Sequence, residues 1–245
     1  MICKLCHQDK LLIKESHIIP EFMYKPLYNE HHKIHLFEYP KVSPPKLISK
    51  GYYEKNILCQ ECDNVIIGKL ETYASKVLQS GKNEKNKPLT AWNYKTHQGM
   101  RVAHIEGIDY TKFKLFLLSI LWRASISKHR YFEGIFLGDH EEIIRKAILT
   151  NDPLDEDLYQ VCIIACNEDV LMTRELILNP KQTKGDEPYI SFYITGAFYL
   201  FSISRNPIFN LFKVGHLKIS NEIEIPFFDL NSVKQYIKSV WNMNF

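Results

Sequence analysis

Four of the chain's six cysteines fall in two short turns, Cys3-Lys-Leu-Cys6 and Cys59-Gln-Glu-Cys62. A Cys-x-x-Cys turn can hold two corners of a tetrahedral zinc site, and two such turns complete the set with no vacancy for substrate. A chain that satisfies zinc this way must fold its first residues back against the second turn, which narrows the possible folds sharply. The competing reading is two redox dithiols or a pair of disulfides. Nothing marks the chain as secreted, because residues 1–20 lack the long apolar core of a signal peptide, and twin spacings of this kind favour zinc. His7, directly after Cys6, could replace one thiolate, but four cysteines already fill the site.

Between the turns stands Glu15-Ser16-His17-Ile18-Ile19-Pro20, in which a histidine, two β-branched residues and a proline read as the end of a short strand. Gly51-Tyr52-Tyr53 leads back to the second turn as a partner strand. After Cys62, residues Ile66, Ile67, Leu70, Ala74, Val77 and Leu78 recur at intervals of three and four, which predicts a helix from Val65 to Ser80. Asp63 is placed to cap its start and Gly81 to end it. Glu71 lies on the same helix and reads as a solvated glutamate.

The order Cys-x-x-Cys, His-Ile-x-Pro, Leu-Cys-x-x-Cys with a polar pair, then a helix resembles the HNH endonucleases of the ββα-metal class, in particular bacterial members stapled by four cysteines. The resemblance covers residues 1–80. It implies His17 as general base and Asn56 as the residue that orients it, with Glu54 the position nearer the common spacing. It implies Asp63 as ligand of a catalytic divalent ion, Mg²⁺ or Mn²⁺, distinct from the structural zinc on Cys3, Cys6, Cys59 and Cys62. Relatives often carry an acid just before the histidine. Here Ser16 stands there and Glu15, one residue further back, is the acidic candidate for the metal.

The chemistry gives these residue types a purpose. Phosphodiester hydrolysis needs a deprotonated water and relief of negative charge on the phosphate and leaving oxygen. A neutral histidine meets the first need. A divalent ion held by one or two protein ligands meets the second. The four-thiolate site is closed and cannot activate water. Without the flanking motif, His17 would read as an ordinary strand residue and Asp63 as a cap.

The remaining chain is ordinary in composition. Of its 245 residues 45% are hydrophobic and 24% charged, and the net charge is only +3, so wholesale disorder is not expected and the total charge argues for no particular partner. No apolar stretch reaches membrane-spanning length, and a reducing cytoplasm is the expected compartment. Glu21 to Lys50, broken by Pro26, Pro40, Pro44 and Pro45, reads as a loop whose Lys25, Lys33, Lys41, Lys46 and Lys50 could meet phosphates. His31, His32 and His35 read as part of that solvated loop. Ser80 to Lys87 is polar and lysine-rich and marks a boundary between a domain at 1–80 and another at 88–245. Trp92, Tyr94, Lys95, His97 and Arg101 interleave aromatic and basic residues, either as a nucleic-acid surface, with Arg101 on phosphate, or as a strand with one buried face.

Tyr110 to Ser127 is the strongest helical pattern of the second half, with Trp122-Arg123 a weaker echo of four-cysteine HNH proteins and Arg123 expected in a structural ion pair. Helices are also expected at His140 to Leu149 and Asn231 to Met243. Strands are expected at Leu158 to Ala165, Leu171 to Leu178, Tyr189 to Thr195, Phe198 to Ser204 and Phe212 to Ile219, with turns at Gly185, Gly196 and Asn206-Pro207. Cys162 and Cys166 read as buried free thiols.

The sequence thus predicts an α+β protein: a zinc-stapled ββα-metal finger followed by a domain with a largely antiparallel sheet packed by helices. The expected function is metal-dependent cleavage of nucleic acid, DNA first, in phage defence or restriction. A homodimer or a defence-system protein is the expected protein partner, with the second domain supplying specificity, dimerisation or control. The alternative is a non-catalytic zinc-finger module or a regulatory protein.

Overall fold

The structure is a computed structural model that describes residues 1–36, 46–167, 176–183, 188–203, 212 and 215–243. It is an α+β protein with a largely antiparallel sheet and packing helices. The first part is built from very short strands. β1 (Ser16–His17) pairs antiparallel with β4 (Tyr53–Glu54), setting Ser16 opposite Glu54 and His17 opposite Tyr53. The excursion between them holds α1 (Glu21–Tyr24), a 3₁₀ turn at Lys25–Leu27, and a small hairpin of β2 (Ile34–Leu36) and β3 (Lys46–Ile48). The segment read as a loop therefore contains local structure; Lys41 and the prolines at 40, 44 and 45 lie outside the described residues.

The helix after the second cysteine turn begins earlier than its apolar periodicity suggests. Residues Glu61–Ile67 wind with π-helical hydrogen bonds and run on into α2 (Gly68–Ser80). Asp63 therefore lies inside the first turn and does not cap it; Gln60 holds the cap position without a side-chain bond. Gly81 ends the helix in the left-handed region, φ 59°, as expected of a stop glycine. The lysine-rich stretch that follows turns back through the Lys82–Pro88 bridge, and Leu89 N–H donates to Gly81 O. One apolar cluster includes residues on both sides of it, among them Ile18, Leu70, Leu117 and Ile163.

The large sheet has seven strands in the order β5-β6-β11-β7-β10-β9-β8. These are β5 (Thr90–Lys95), β6 (Arg101–Glu106), β7 (Val161–Cys166), β8 (Ile177–Gln182), β9 (Tyr189–Ile194), β10 (Ala197–Ser202) and β11 (Glu222–Phe228). The β11–β7 contact is parallel and the other five adjacent pairs are antiparallel. β7, β10 and β9 are buried on both faces, which is why they read as nearly unbroken apolar runs. Their alternate residues feed two clusters. Ile163, Phe192 and Phe201 face the one containing α3 (Tyr110–Ile126) and α4 (His140–Thr150), while Ile164, Tyr193 and Phe198 face α5 (Leu230–Trp241).

α3 is apolar around most of its circumference because it is covered on most sides, with Leu115, Leu117, Leu118 and Leu121 fully enclosed. Asp109 caps it by accepting from Lys112 N–H at 3.0 Å. The strand expected at Phe212 to Ile219 is not seen among its described residues, which make only isolated bridges at His216 and Lys218. Part of the strand expected at 171–178, and the turns at Gly185 and Asn206-Pro207, lie outside the described residues. Cys162 and Cys166 are buried free thiols, and burial pushes the Cys162 thiol up to about 12. No helix among the described residues is long and apolar enough to cross a membrane.

Candidate metal centre and the His17 site

Cys3, Cys6, Cys59 and Cys62 come together with all four sulfurs within 4.8 Å of one another. For metal–sulfur bonds of ~2.3 Å a tetrahedron separates its sulfurs by ~3.8 Å, so the cluster could hold a metal ion such as zinc. Local backbone explains how the first turn is shaped. Cys3 N–H bonds Gln8 O, His7 N–H bonds Cys3 O, and His7 takes a left-handed φ of 57° that turns the chain after Cys6. The second turn is pinned to the first segment by Lys4 N–H on Ile57 O, Ile13 N–H on Leu58 O, and the Leu12–Cys59 bridge.

Charge is uneven across the cluster. Burial raises the Cys3 thiol, but backbone N–H groups of Cys6, Cys59 and Leu5 point at it and bring it down to about 7. The Cys59 amide donates to Cys3 Sγ at 3.3 Å. Burial pushes Cys62 well up, and its crowded sulfur neighbours push it further. Four sulfurs this close cannot all ionise without a cation among them.

His17 sits on β1 with its Nε2 closed to solvent. Glu21 Oε2 lies 3.2 Å from that nitrogen, but outside hydrogen-bonding geometry. Glu21 itself accepts from the Tyr28 hydroxyl. The main chain of His17 is gripped from behind: Arg123 Nη1 donates to His17 O at 2.6 Å and lies 2.8 Å from Glu71 Oε1. Arg123 is 1% exposed and further bonded to Ser119 O and Oγ. The structural ion pair expected of Arg123 is present, and Glu71 is its partner, not a free surface acid.

Ser16 and Asp63 meet. Ser16 is fully buried, and its hydroxyl donates to Asp63 Oδ1 at 2.5 Å. The residue before the histidine and the residue after the last cysteine are thus in contact across β1 and the helix start. Glu15 points elsewhere, paired with Lys50 at 2.7 Å on the surface.

Asn56 is exposed, in the left-handed region at φ 54°, and its side chain makes no hydrogen bond among the described residues. The residue across from His17 is Tyr53, while Glu54 accepts from Ser127 Oγ at 3.0 Å and Lys128 N–H at 2.7 Å. Lys25 is exposed beside α1. Arg101 lies on the large sheet, with its guanidinium 3.8 Å above the Phe227 ring.

Sequence reading missed one group that holds the site, Arg145, and the role of another, Ser16. Arg145, on α4, donates to Leu5 O inside the first cysteine turn and is itself held by Glu142 at 2.6 and 2.8 Å. Ser16 looked like a missing ligand rather than a partner for Asp63. Neither carries a local motif, since each acts on a residue far away in the chain. No family model matches the chain, and neither a curated protein nor a solved structure is similar enough to it to count as a match.

Proposed function

We propose that residues 1–80 form a zinc-stapled ββα-metal finger and that the protein is an HNH-type endonuclease, cleaving phosphodiester bonds of DNA with a divalent ion. The observation that carries this reading is the Ser16–Asp63 contact beside His17. Two short antiparallel strands, a cysteine cluster and a helix follow in the order that the resemblance expects, and the Ser16 bond holds Asp63 against the residue next to His17 in the chain. Asp63 carboxylate and Ser16 hydroxyl offer oxygen donors, the type that Mg²⁺ or Mn²⁺ prefers. A bound divalent ion would neutralise charge developing on the phosphate and leaving oxygen.

His17 takes a proton from the attacking water. With Nε2 turned toward Glu21, Nδ1 is the nitrogen that receives it. The water oxygen then bonds to phosphorus and the bond to the leaving sugar oxygen breaks. Arg123 and Glu71 fix the strand that carries His17 without touching substrate. Lys25 and its loop neighbours supply phosphate contacts, and the large sheet supplies target choice, dimerisation or control.

The test is nicking of supercoiled plasmid with Mg²⁺ or Mn²⁺ by wild type and His17→Ala. The variant should keep its zinc, thermal stability and DNA affinity while its rate falls roughly 10²–10⁴-fold. Cleavage at the wild-type rate would reject His17 as the base. The second reading, a zinc finger that only binds nucleic acid or regulates, is favoured by Ser16 in place of an acid; DNA binding without nicking in either metal would select it.

A further inference from the structure

Away from the cysteine cluster, β6 and β11 present four polar residues on one face of the large sheet. Their register sets Glu222 directly across from Glu106, and Glu224 directly across from His104. The two-residue period of a strand puts all four side chains on the same side. Two carboxylates as direct cross-strand partners repel one another and weaken a ladder. His104 lies between them, its Nε2 3.3 Å from Glu222 Oε2 and 3.5 Å from Glu106 Oε1. That nitrogen is closed to solvent and has no hydrogen-bond partner. The three facing atoms all lie within 4.8 Å of one another.

We infer that His104, Glu106 and Glu222 form a site for one divalent transition-metal ion of the zinc type. Bonds of ~2.0–2.2 Å to nitrogen and oxygen separate neighbouring tetrahedral ligands by ~3.3–3.6 Å, and both nitrogen–oxygen separations here fall in that range. The surroundings orient each ligand. The far ring nitrogen of His104, Nδ1, faces Glu224 Oε1 at 3.5 Å, the carboxylate-behind-histidine arrangement of metal centres.

Ser220 Oγ holds Glu222 Oε1 at 2.7 Å, with Lys218 Nζ 3.7 Å away, which leaves Oε2 to face the ring. Trp92 stacks on the imidazole at 4.2 Å and fixes its plane. Glu106 is 48% exposed, so the fourth position opens to water. One imidazole and two carboxylates suit Zn²⁺, Co²⁺ or Mn²⁺ and not a soft ion such as Cu(I). The ion converts the Glu106–Glu222 repulsion into shared coordination.

The test uses full-length protein with zinc on the cysteines and excess metal removed, titrated with CoCl₂ by calorimetry and tryptophan fluorescence. Beyond any ion that Asp63→Ala removes, one additional ion per chain is expected, with quenching that Trp92→Phe removes. Lack of thiolate-to-cobalt absorption would verify that the cysteine site keeps its zinc. Glu222→Gln and His104→Gln should each lower the affinity at least tenfold, and Glu224→Gln roughly tenfold as an outer partner. Glu222→Gln also removes a repulsion, so it should fold and carry the test should His104→Gln fail to. No additional ion in the wild type would overturn the site. So would a count of additional ions that Glu222→Gln leaves unchanged; an ion lost on Asp63→Ala belongs to the His17 region and is not counted toward this site.

Discussion

The region before Ser80 and the seven-stranded sheet are held together by different forces. β1 and β4 are two residues long and could not persist as an isolated ribbon. Their geometry is imposed by directional contacts: four sulfurs at one end, and two arginines reaching in from α3 and α4 to main-chain carbonyls. Arg123 takes His17 O and Arg145 takes Leu5 O. The sheet's central strands instead bury apolar side chains on both faces around an extended ladder. Apolar packing tolerates volume-conserving exchange, whereas a carbonyl gripped by one guanidinium has no substitute. The candidate site therefore depends on a few polar contacts and the scaffold on many apolar ones.

The largest break in this contrast should come from Cys59→Ser. Structural zinc in small fingers is worth ~10–16 kcal/mol of apparent binding energy, much of it spent on folding. Metal analysis should find zinc lost, and hydrogen exchange should show residues 1–80 unprotected while β7, β9 and β10 stay protected. Equal loss in both regions would show that they do not differ as argued. Phe198→Ala should do the reverse. It empties a fully buried position against α5, costing ~3–5 kcal/mol in urea unfolding, and should leave zinc content unchanged.

Arg123→Ala removes a buried guanidinium and strands Glu71 and the His17 carbonyl. A loss of ~3 kcal/mol is expected, at the low end for a broken buried pair because Glu71 is partly exposed. Arg123→Lys should recover little of it, since an ammonium cannot reproduce the fork. Full recovery by lysine would mean that charge alone suffices.

The smallest effect is acid-dependent. Hydrogen bonds from Arg145 hold the Glu142 carboxyl down to about 2. A depressed carboxylate stabilises the fold above its unfolded value of ~4.3 and loses that contribution as pH falls toward 2. Wild type should exceed Glu142→Gln in stability near neutrality, and the gap should close over that window. Glu142 is half exposed, so the gap should be small. A gap independent of pH would assign the effect to packing.

Local pattern carried much of the fold and only part of the site. α3 and α4 were legible because their apolar periodicity runs through the whole element, and the cysteine cluster because twin turns have few other uses. The β11 strand was missed: Glu222-Ile-Glu-Ile-Pro-Phe-Phe mixes charge and a proline, and its place beside β6 and β7 comes from pairing across more than 50 residues. Phe212 to Ile219 had strand composition, but its described residues pair only through isolated bridges at His216 and Lys218. Asp63 was read as a cap because a π-helical start leaves no trace in apolar spacing. The Arg123 and Arg145 contacts join residues more than 100 apart and no local rule could locate them.

β11 is the latest of the seven strands in the sequence, yet it lies between β6 and β7. On the ribosome, β5–β6 and the β7–β10–β9–β8 part must wait with open edges until residues 222–228 emerge. All four clustered cysteines are available once Cys62 is made, so metallation can precede closure of the sheet by most of the synthesis time. A nascent chain would carry a complete four-cysteine cluster on an unfinished scaffold. Demand for chaperones should accordingly arise from the second half and end when the central strand slots in.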